Sequence, residues 1–399
     1  MKKILMMIAS TLLFAACTSE EGEYWQPAKR TVMVYMAAEN SLSGSAQADI
    51  NEMIRGVKSI SKYDNLIVFV DRASTREKPF IIRLRNDEQQ PADTIKKYEE
   101  DFYASDPKKM KEVTQWIMTN YPADDYGLVL WGHGNGWIIM DDVETIDNRA
   151  IAVDNGKNTT SNTGPWLNIP SLREVLSELP HPFKFIFADC CNMQNVEVAY
   201  ELKDITEYYI ASPAGIPGEG APYQTVVPDL FIYDDVEMYT KICDDYNALI
   251  DNEGGHLPLT VVRTSGLPML AEATREILRT IDQTTVNTDG LIYYYSYVVR
   301  DSKEHVMYDM QDFLLRHTEK EDYEQWLEAL DQTIAYKKFS SRWQVAGTLI
   351  IDFEVTEERF GGISMFIPLE RYKNTKLKYN ETINQMAWYH AVGWSELEW

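Results

Sequence analysis

The feature that most constrains this chain is a series of short apolar runs separated by stretches of helical periodicity. Thr31–Met36 (TVMVYM), Leu66–Asp71 (LIVFVD), Leu128–Trp131, Phe185–Ala188 and Tyr208–Ala211 are apolar at nearly every position. A strand with one wet face alternates apolar with polar. A near-continuous run needs cover on both faces, as in a mostly parallel sheet between two helical layers. Helical stretches at Ala46–Val57 and Pro107–Thr119 fall between the runs, so the chain reads as α/β. Beyond about residue 255 the pattern restarts with Leu257–Arg263, continues through helices, and ends with strand candidates at Gln344–Asp352 and Gly362–Pro368. The segment Met140–Thr163, rich in Asp, Asn, Thr and Gly, is expected to be an exposed loop.

Composition narrows the partners. The chain has 399 residues, 45% of them hydrophobic, enough for a sizeable core. Against 38 Lys and Arg stand 62 Asp and Glu, a formal charge of −24. That balance argues against nucleic acid and fits a solvated acidic surface or a cationic substrate.

The N-terminus reads as a targeting segment. Met1-Lys2-Lys3 is basic, and Ile4–Ala16 is an apolar run too short to span a bilayer but suited to a signal peptide. The run ends Phe14-Ala15-Ala16-Cys17, which resembles a bacterial lipoprotein lipobox with Cys17 as the acylated mature N-terminus. The polar Thr-Ser-Glu-Glu-Gly-Glu that follows resembles the acidic export signal of some Bacteroidetes surface lipoproteins. The expectation is an exported lipoprotein at the outer membrane or cell surface, touching the membrane through its lipid only. If Cys17 carries lipid, Cys190, Cys191 and Cys243 remain, too few for a disulfide framework. A free, adjacent cysteine pair in an exported chain asks for a chemical reason.

The candidate chemistry sits where two apolar runs end. Gly127–Trp131 runs into Gly132-His133-Gly134-Asn135-Gly136-Trp137, and Phe185–Ala188 runs into Asp189-Cys190-Cys191-Asn192. Ligands of open α/β sheets bind at the carboxyl ends of strands. A histidine there titrates near neutrality and can move protons. Met193, Val196 and Tyr200 share a helical face, which predicts a helix directly after the cysteines and a dipole favouring thiolate. Together the two ends present a Cys–His dyad.

These residues resemble the clostripain-like cysteine peptidases, a branch of the caspase-like clan. The resemblance runs from about residue 30 to 368 through five motifs in order. They are Thr31–Asn40 with Ala48–Met53, Leu128–Trp137, Phe187–Met193 with Val196–Leu202, Ala211-Ser212 with Pro217–Gly220, and Tyr308–Phe313 with Gly362–Pro368. Where the family reads Asp-Ala-Cys, this chain has Asp189-Cys190-Cys191, and the register assigns the nucleophile to Cys191. The loop Pro213–Pro217 is less acidic than the family's pocket loop.

The resemblance implies a caspase-like, mostly parallel sheet between helices. It divides the chain into a signal peptide (1–16), a tether (17–29), a catalytic domain (30–254) and a C-terminal region (255–399) completing or flanking the sheet. It implies a cysteine endopeptidase acting on proteins or peptides, with Cys191 attacking the scissile carbonyl and His133 moving the proton. The N–H groups of Gly134 and Cys191 would form the oxyanion hole. A carboxylate in the pocket, Asp189 or Glu219, would pair with Arg or Lys at P1. Single-chain relatives are commonly cut between the two motifs, and here Arg149, followed by Ala150, is the candidate point of self-processing. The dyad requires no cofactor. Some relatives respond to calcium, and the acidic Asp141-Asp142 does not indicate it here. A second reading is a catalytically silent surface lipoprotein that binds peptides or glycans, for which the 10 Trp and 24 Tyr would serve. Against it, the chain keeps both His133 and Cys191.

Overall fold

The computed structural model describes residues 27–139, 150–156, 159–162, 164–252, 257–299, 302–345, 348–350, 354–375 and 377–397. The targeting segment with Cys17, and the positions Asp141, Asp142 and Arg149, lie outside the described residues.

The sheet forms as the apolar runs require. β1 (Ala28–Ala38), β2 (Asn65–Arg72), β5 (Ala123–Trp131), β6 (Phe183–Asp189) and β7 (Thr206–Ala211) are parallel neighbours in the order β7-β6-β5-β1-β2. Side-chain alternation divides each strand between two cores. Met33, Tyr35, Leu128, Leu130, Ile186 and Ala188 enter one core. Val32, Val34, Val129, Trp131, Phe185 and Phe187 enter the other. The first core is closed by α2 (Pro107–Asn120), α3 (Ile169–Ser177), α4 (Val196–Glu201) and α7 (Leu267–Leu278). The second is closed by α1 (Ser43–Gly56), α5 (Tyr223–Asp229) and α6 (Asp235–Asn252).

Antiparallel strands extend both edges of this sheet. β3 (Phe80–Leu84) and β4 (Ala92–Lys97) follow β2 on one side, and β8 (Leu259–Arg263) and β11 (Ile334–Lys338) follow β7 on the other. Nine strands therefore form one sheet, the last two supplied from beyond residue 255. β9 (Tyr293–Val299) and β10 (Ser302–Asp309) form a second, small sheet with β14 (Ser364–Met365). α8 (Met310–His317) and α9 (Lys320–Thr333) lie between β10 and β11.

Three local expectations need correction. Gln344–Asp352 is not one strand: β12 (Trp343–Val345) and β13 (Thr348–Ile350) pair antiparallel as a hairpin. Gly362–Pro368 contributes only the two-residue β14, although Ile363–Ile367 is buried throughout. The polar segment before Thr163 is not all exposed, because Ala150–Asn155 is buried. Its backbone is paired on both sides: the Asn135 N–H donates to the Ala150 carbonyl at 2.7 Å and the Ala152 N–H to the His133 carbonyl at 3.0 Å. On the other side the Leu167 N–H donates to the Ile151 carbonyl at 2.9 Å. Polar side chains can go inside when their hydrogen bonds are met, and composition alone does not reveal that.

Candidate active site

β1 connects toward β2 on one side of the sheet, while β5, β6 and β7 run to the other. The gap between β1 and β5 is the topological switch point, where the carboxyl ends of the strands leave a crevice. A cavity of about 380 Å³ opens there, lined by Gly132, His133 and Gly134 after β5, by Asp189 and Cys191 at the end of β6, and by Gly215–Gly218 and Gly220 after β7. His133 and Cys191, 58 positions apart in sequence (191 − 133), thus reach one cavity because β5 and β6 are adjacent and in register, Trp131 beside Asp189.

The two cysteines have opposite environments. Cys190 is fully buried and its thiol donates to the Leu130 carbonyl at 3.2 Å. Cys191 is part-exposed and lines the cavity. Its Sγ accepts the Ile216 N–H at 3.4 Å and lies 3.9 Å from the Ile216 carbonyl. The sequence places Cys191 beside a helix N-terminus, and the structure does not. Asn192 turns the chain with φ of 58°, and α4 begins only at Val196. Asparagine tolerates that left-handed turn better than most residues. The helix dipole therefore contributes little to the thiol. Burial pushes the Cys191 thiol up, with the Ile216 N–H opposing, and pushes Cys190 up further.

His133 is held from the β1 side. Ser41 Oγ lies 2.8 Å from His133 Nε2, and Trp166 tilts against the imidazole with ring centroids 6.2 Å apart. Burial lowers the imidazole's pKa, and a hydrogen bond with Asn162 opposes that. Thiol and imidazole are thus both biased toward their neutral forms. Ser41, Asn162 and Trp166 carry no sequence signal: Ser41 arrives from the turn after β1, and Asn162 and Trp166 from the segment before α3.

Gly134 is required by close approach: a Cβ there would lie 2.7 Å from the Cys191 carbonyl oxygen and from Cys190 Cβ. Gly134 faces Ile151 in an antiparallel bridge whose hydrogen bonds are made by His133, Asn135, Ala150 and Ala152. The pairing therefore does not consume the Gly134 N–H.

The carboxylates sort by environment. Asp189 is buried and accepts from Tyr223 Oη at 2.8 Å, Tyr246 Oη at 2.8 Å and the Ala221 N–H at 3.1 Å. Burial raises its pKa, and these three donors pull it back. Glu219 is exposed and is not among the residues lining the cavity. The partner that sequence reasoning missed is Asp49 on α1. It accepts from Trp131 Nε1 at 2.7 Å, and burial together with the nearby Asp189 pushes it up to about 8. Its only sequence signal is its place in the Ala48–Met53 motif. Asp49 and Asp189 meet at Gly220, whose φ is +71°: a Cβ there would lie 3.1 Å from Asp189 Oδ2 and 3.2 Å from Asp49 Oδ2.

A mostly parallel sheet between helical layers, with cysteine and histidine at adjacent strand ends, defines a class: the caspase-like cysteine peptidases. Within it, a family model described as the clostripain family, peptidase C11, matches residues 34–399, and the chain belongs to that family. Clostripain of Hathewaya histolytica is 28% identical over 223 residues, which are 50% of this chain and 41% of that protein. The chain thus spans less than half the length of that relative. Among solved structures, it is similar to a secreted C11 cysteine protease from Bacteroides thetaiotaomicron in complex with an irreversible peptide inhibitor. The TM-score is 0.76 at 31% identity, over 92% of this chain and 99% of that one. It shares its fold with an inactive zymogen C11 protease from Parabacteroides distasonis, at a TM-score of 0.76 and 24% identity, again over 92% and 99%.

Proposed function

We propose that this chain is an endopeptidase that cuts after Arg or Lys through a Cys191–His133 dyad. The observation that carries the reading is one cavity lined by a part-exposed thiol, an imidazole and the buried Asp189 carboxylate, with the buried Asp49 behind Gly220. His133 takes the Cys191 proton as Sγ attacks the scissile carbonyl, and the imidazolium then protonates the leaving amine. The N–H groups of Gly134 and Cys191 receive the oxyanion. Water then attacks the thioester, returning its proton through His133. A P1 guanidinium or ammonium reaching Gly220 meets Asp189 and Asp49, and Glu219 draws cations toward the rim.

The proposal includes self-processing after Arg149. Ala150 is buried and its backbone is paired with the His133 loop, so a cut before it releases one end of a strand-like segment beside the dyad. It also includes export, with lipid on Cys17. Among the described residues no helix is long and apolar enough to cross a membrane. Mass spectrometry of the mature N-terminus checks the lipid.

The test of the activity is hydrolysis of Arg, Lys and neutral P1 peptides by wild type, Cys191→Ala and Cys190→Ala, with N-terminal sequencing of the incubated proteins. Cys191→Ala is expected to lose turnover and to stay uncut, while Cys190→Ala keeps much of its rate and yields Ala150 as a new N-terminus. A dead Cys190→Ala beside an active Cys191→Ala would shift the nucleophile by one residue. An intact wild type that is fully active from the outset would remove processing from the proposal.

A further inference from the structure

A second groove opens beside the active-site cavity and shares a wall with it. Its volume is about 800 Å³, and it lies between the end of α3 and the first turn of α2 with the loop before that turn. Trp166 lines both spaces, and its ring tilts against the His133 imidazole. The groove therefore joins the cavity at its histidine side.

The lining suits a polypeptide. Tyr103, Pro107, Pro165, Trp166 and Val175 make it largely apolar, and the Tyr103 side chain is exposed. Lys111 and Glu178 form an ion pair between α2 and the end of α3. Ser105 also lines the groove. It is 3% exposed, and its Oγ has no hydrogen-bond partner among the described residues. A buried hydroxyl left unpaired is costly, and a main-chain group of a bound peptide supplies the missing partner.

The chemistry gives the groove a direction. Strand order β7-β6-β5 sets the Ile216 loop and His133 on opposite sides of Cys191. His133 protonates the leaving amine, so the chain beyond the scissile bond departs on the histidine side. Trp166 is the next wall there. The protein's own backbone measures the distance onward. The Ala152 N–H meets the His133 carbonyl, and four residues later Gly156 lies against the Tyr103 ring with no room for a Cβ. Four residues span at most about 14 Å, so a substrate reaches Tyr103 with four or five residues past the cut.

We propose that the groove between α2 and α3 holds the leaving-side residues of an extended polypeptide substrate. The first two residues past the cut lie on Trp166, and the fourth and fifth place apolar side chains on Tyr103. The inference rests on the peptidase reading and deepens it. The substrate it names is a protein chain that continues well past the basic residue, not a chain that ends there.

The test uses the active full chain and amide-capped peptides that share one acyl side ending in Arg. They carry one, three or five leaving-side residues, with Leu at the fourth and fifth, and cleavage is followed by chromatography. An arginyl aminocoumarin amide, which has no leaving-side residue, reports the peptidase reading alone. Between one and five leaving-side residues, kcat/KM is expected to rise about tenfold or more, and much less when Gly and Ser replace the two leucines. Tyr103→Ala should bring that ratio to within about twofold of unity, Tyr103→Phe should keep it, and Ser105→Ala should lower it a few-fold. Circular dichroism checks folding, and Ser105→Ala, which removes a single oxygen, keeps the test valid if Tyr103→Ala does not fold. A ratio near unity in a wild type that hydrolyses the coumarin amide, or a ratio unchanged in the folded variants, would overturn the proposal. A wild type that cleaves neither the amide nor any peptide would instead remove the peptidase reading, and the inference with it.

Discussion

Two acidic sites lie at the carboxyl edge of one sheet, and they are built differently. At the cavity, Asp189 is ringed by two tyrosine hydroxyls and a backbone N–H, and Asp49 is held by an indole N–H. At the β1–β2 edge, Asp71 faces Asp154, Glu39 and Asp101. Three neutral donors favour the charged form of Asp189 against its burial and offer that charge to a visiting cation, while Asp49, pushed up to about 8 by burial and by Asp189, holds its proton at neutral pH. Carboxylates that face one another need a resident proton or ion. The first site is suited to a substrate that comes and goes; in the second, Asp71 and Asp154 hydrogen-bond to each other, which requires a proton between them.

The largest break in this comparison is Asp189→Asn. Hydrolysis after Arg and Lys should fall by roughly 10²–10³ in kcat/KM, since a desolvated charge pair loses one partner. Hydrolysis after a neutral P1 should fall far less, and steady-state kinetics on matched peptides reads the difference.

Asp49→Asn should act less strongly but change the pH profile. Asp49 lies near 8 in the free protein, so its charge develops as pH rises through that value. The preference for basic over neutral P1 should therefore climb between about pH 7 and 9 in wild type and flatten in the variant. Taking that ratio removes the rise in thiolate from Cys191, which is common to both substrates. Stability runs the opposite way. A carboxyl whose folded pKa is raised contributes stability that is fully present below its unfolded value of about 4 and is lost as pH rises through about 8. Asp49→Asn should thus flatten the loss of thermal stability across that window.

Asp71→Asn sharpens the comparison from the other side. It should leave stability unchanged or raise it by about 1 kcal/mol, because it removes one of several facing carboxylates. Denaturant unfolding measures this, and the corresponding change at Asp189 should destabilise, because an amide NH2 replaces one accepting oxygen and one of the two tyrosine hydroxyls loses its acceptor. The smallest effect belongs to Glu219→Gln. From the exposed rim it should lower kcat/KM for basic substrates about twofold at low salt and not at all at high salt.

Much of the frame was legible before any coordinates. Runs such as LIVFVD and FIFAD, short and rich in β-branched and aromatic residues, read as doubly covered strands, and a sheet of such strands puts its loops, with His133 and Cys191, at one edge. The split between Cys190 and Cys191 followed motif register; Cys190 is buried and Cys191 lines the cavity. Hidden were the antiparallel strands β3 and β4, whose residues lack the apolar continuity of the central ones. Hidden too was the burial of Ala150–Asn155, whose polar composition reads as loop until its hydrogen-bond partners are known.

The sequence by itself determined the layering, the two strand ends that carry the thiol and the imidazole, and the family. Those follow from local patterns, since side-chain alternation and apolar continuity act over a few residues. Only the tertiary structure decided that Asp49 from α1 joins Asp189, that Ser41 and Asn162 hold His133, and that the α4 dipole does not reach Cys191. It also decided that Glu39, Asp71 and Asp101 converge. Each of these meetings joins residues 29 (162 − 133) to 140 (189 − 49) positions apart in sequence, set by strand order and register. No local propensity encodes such a meeting, because the energy that creates it comes from packing the whole sheet.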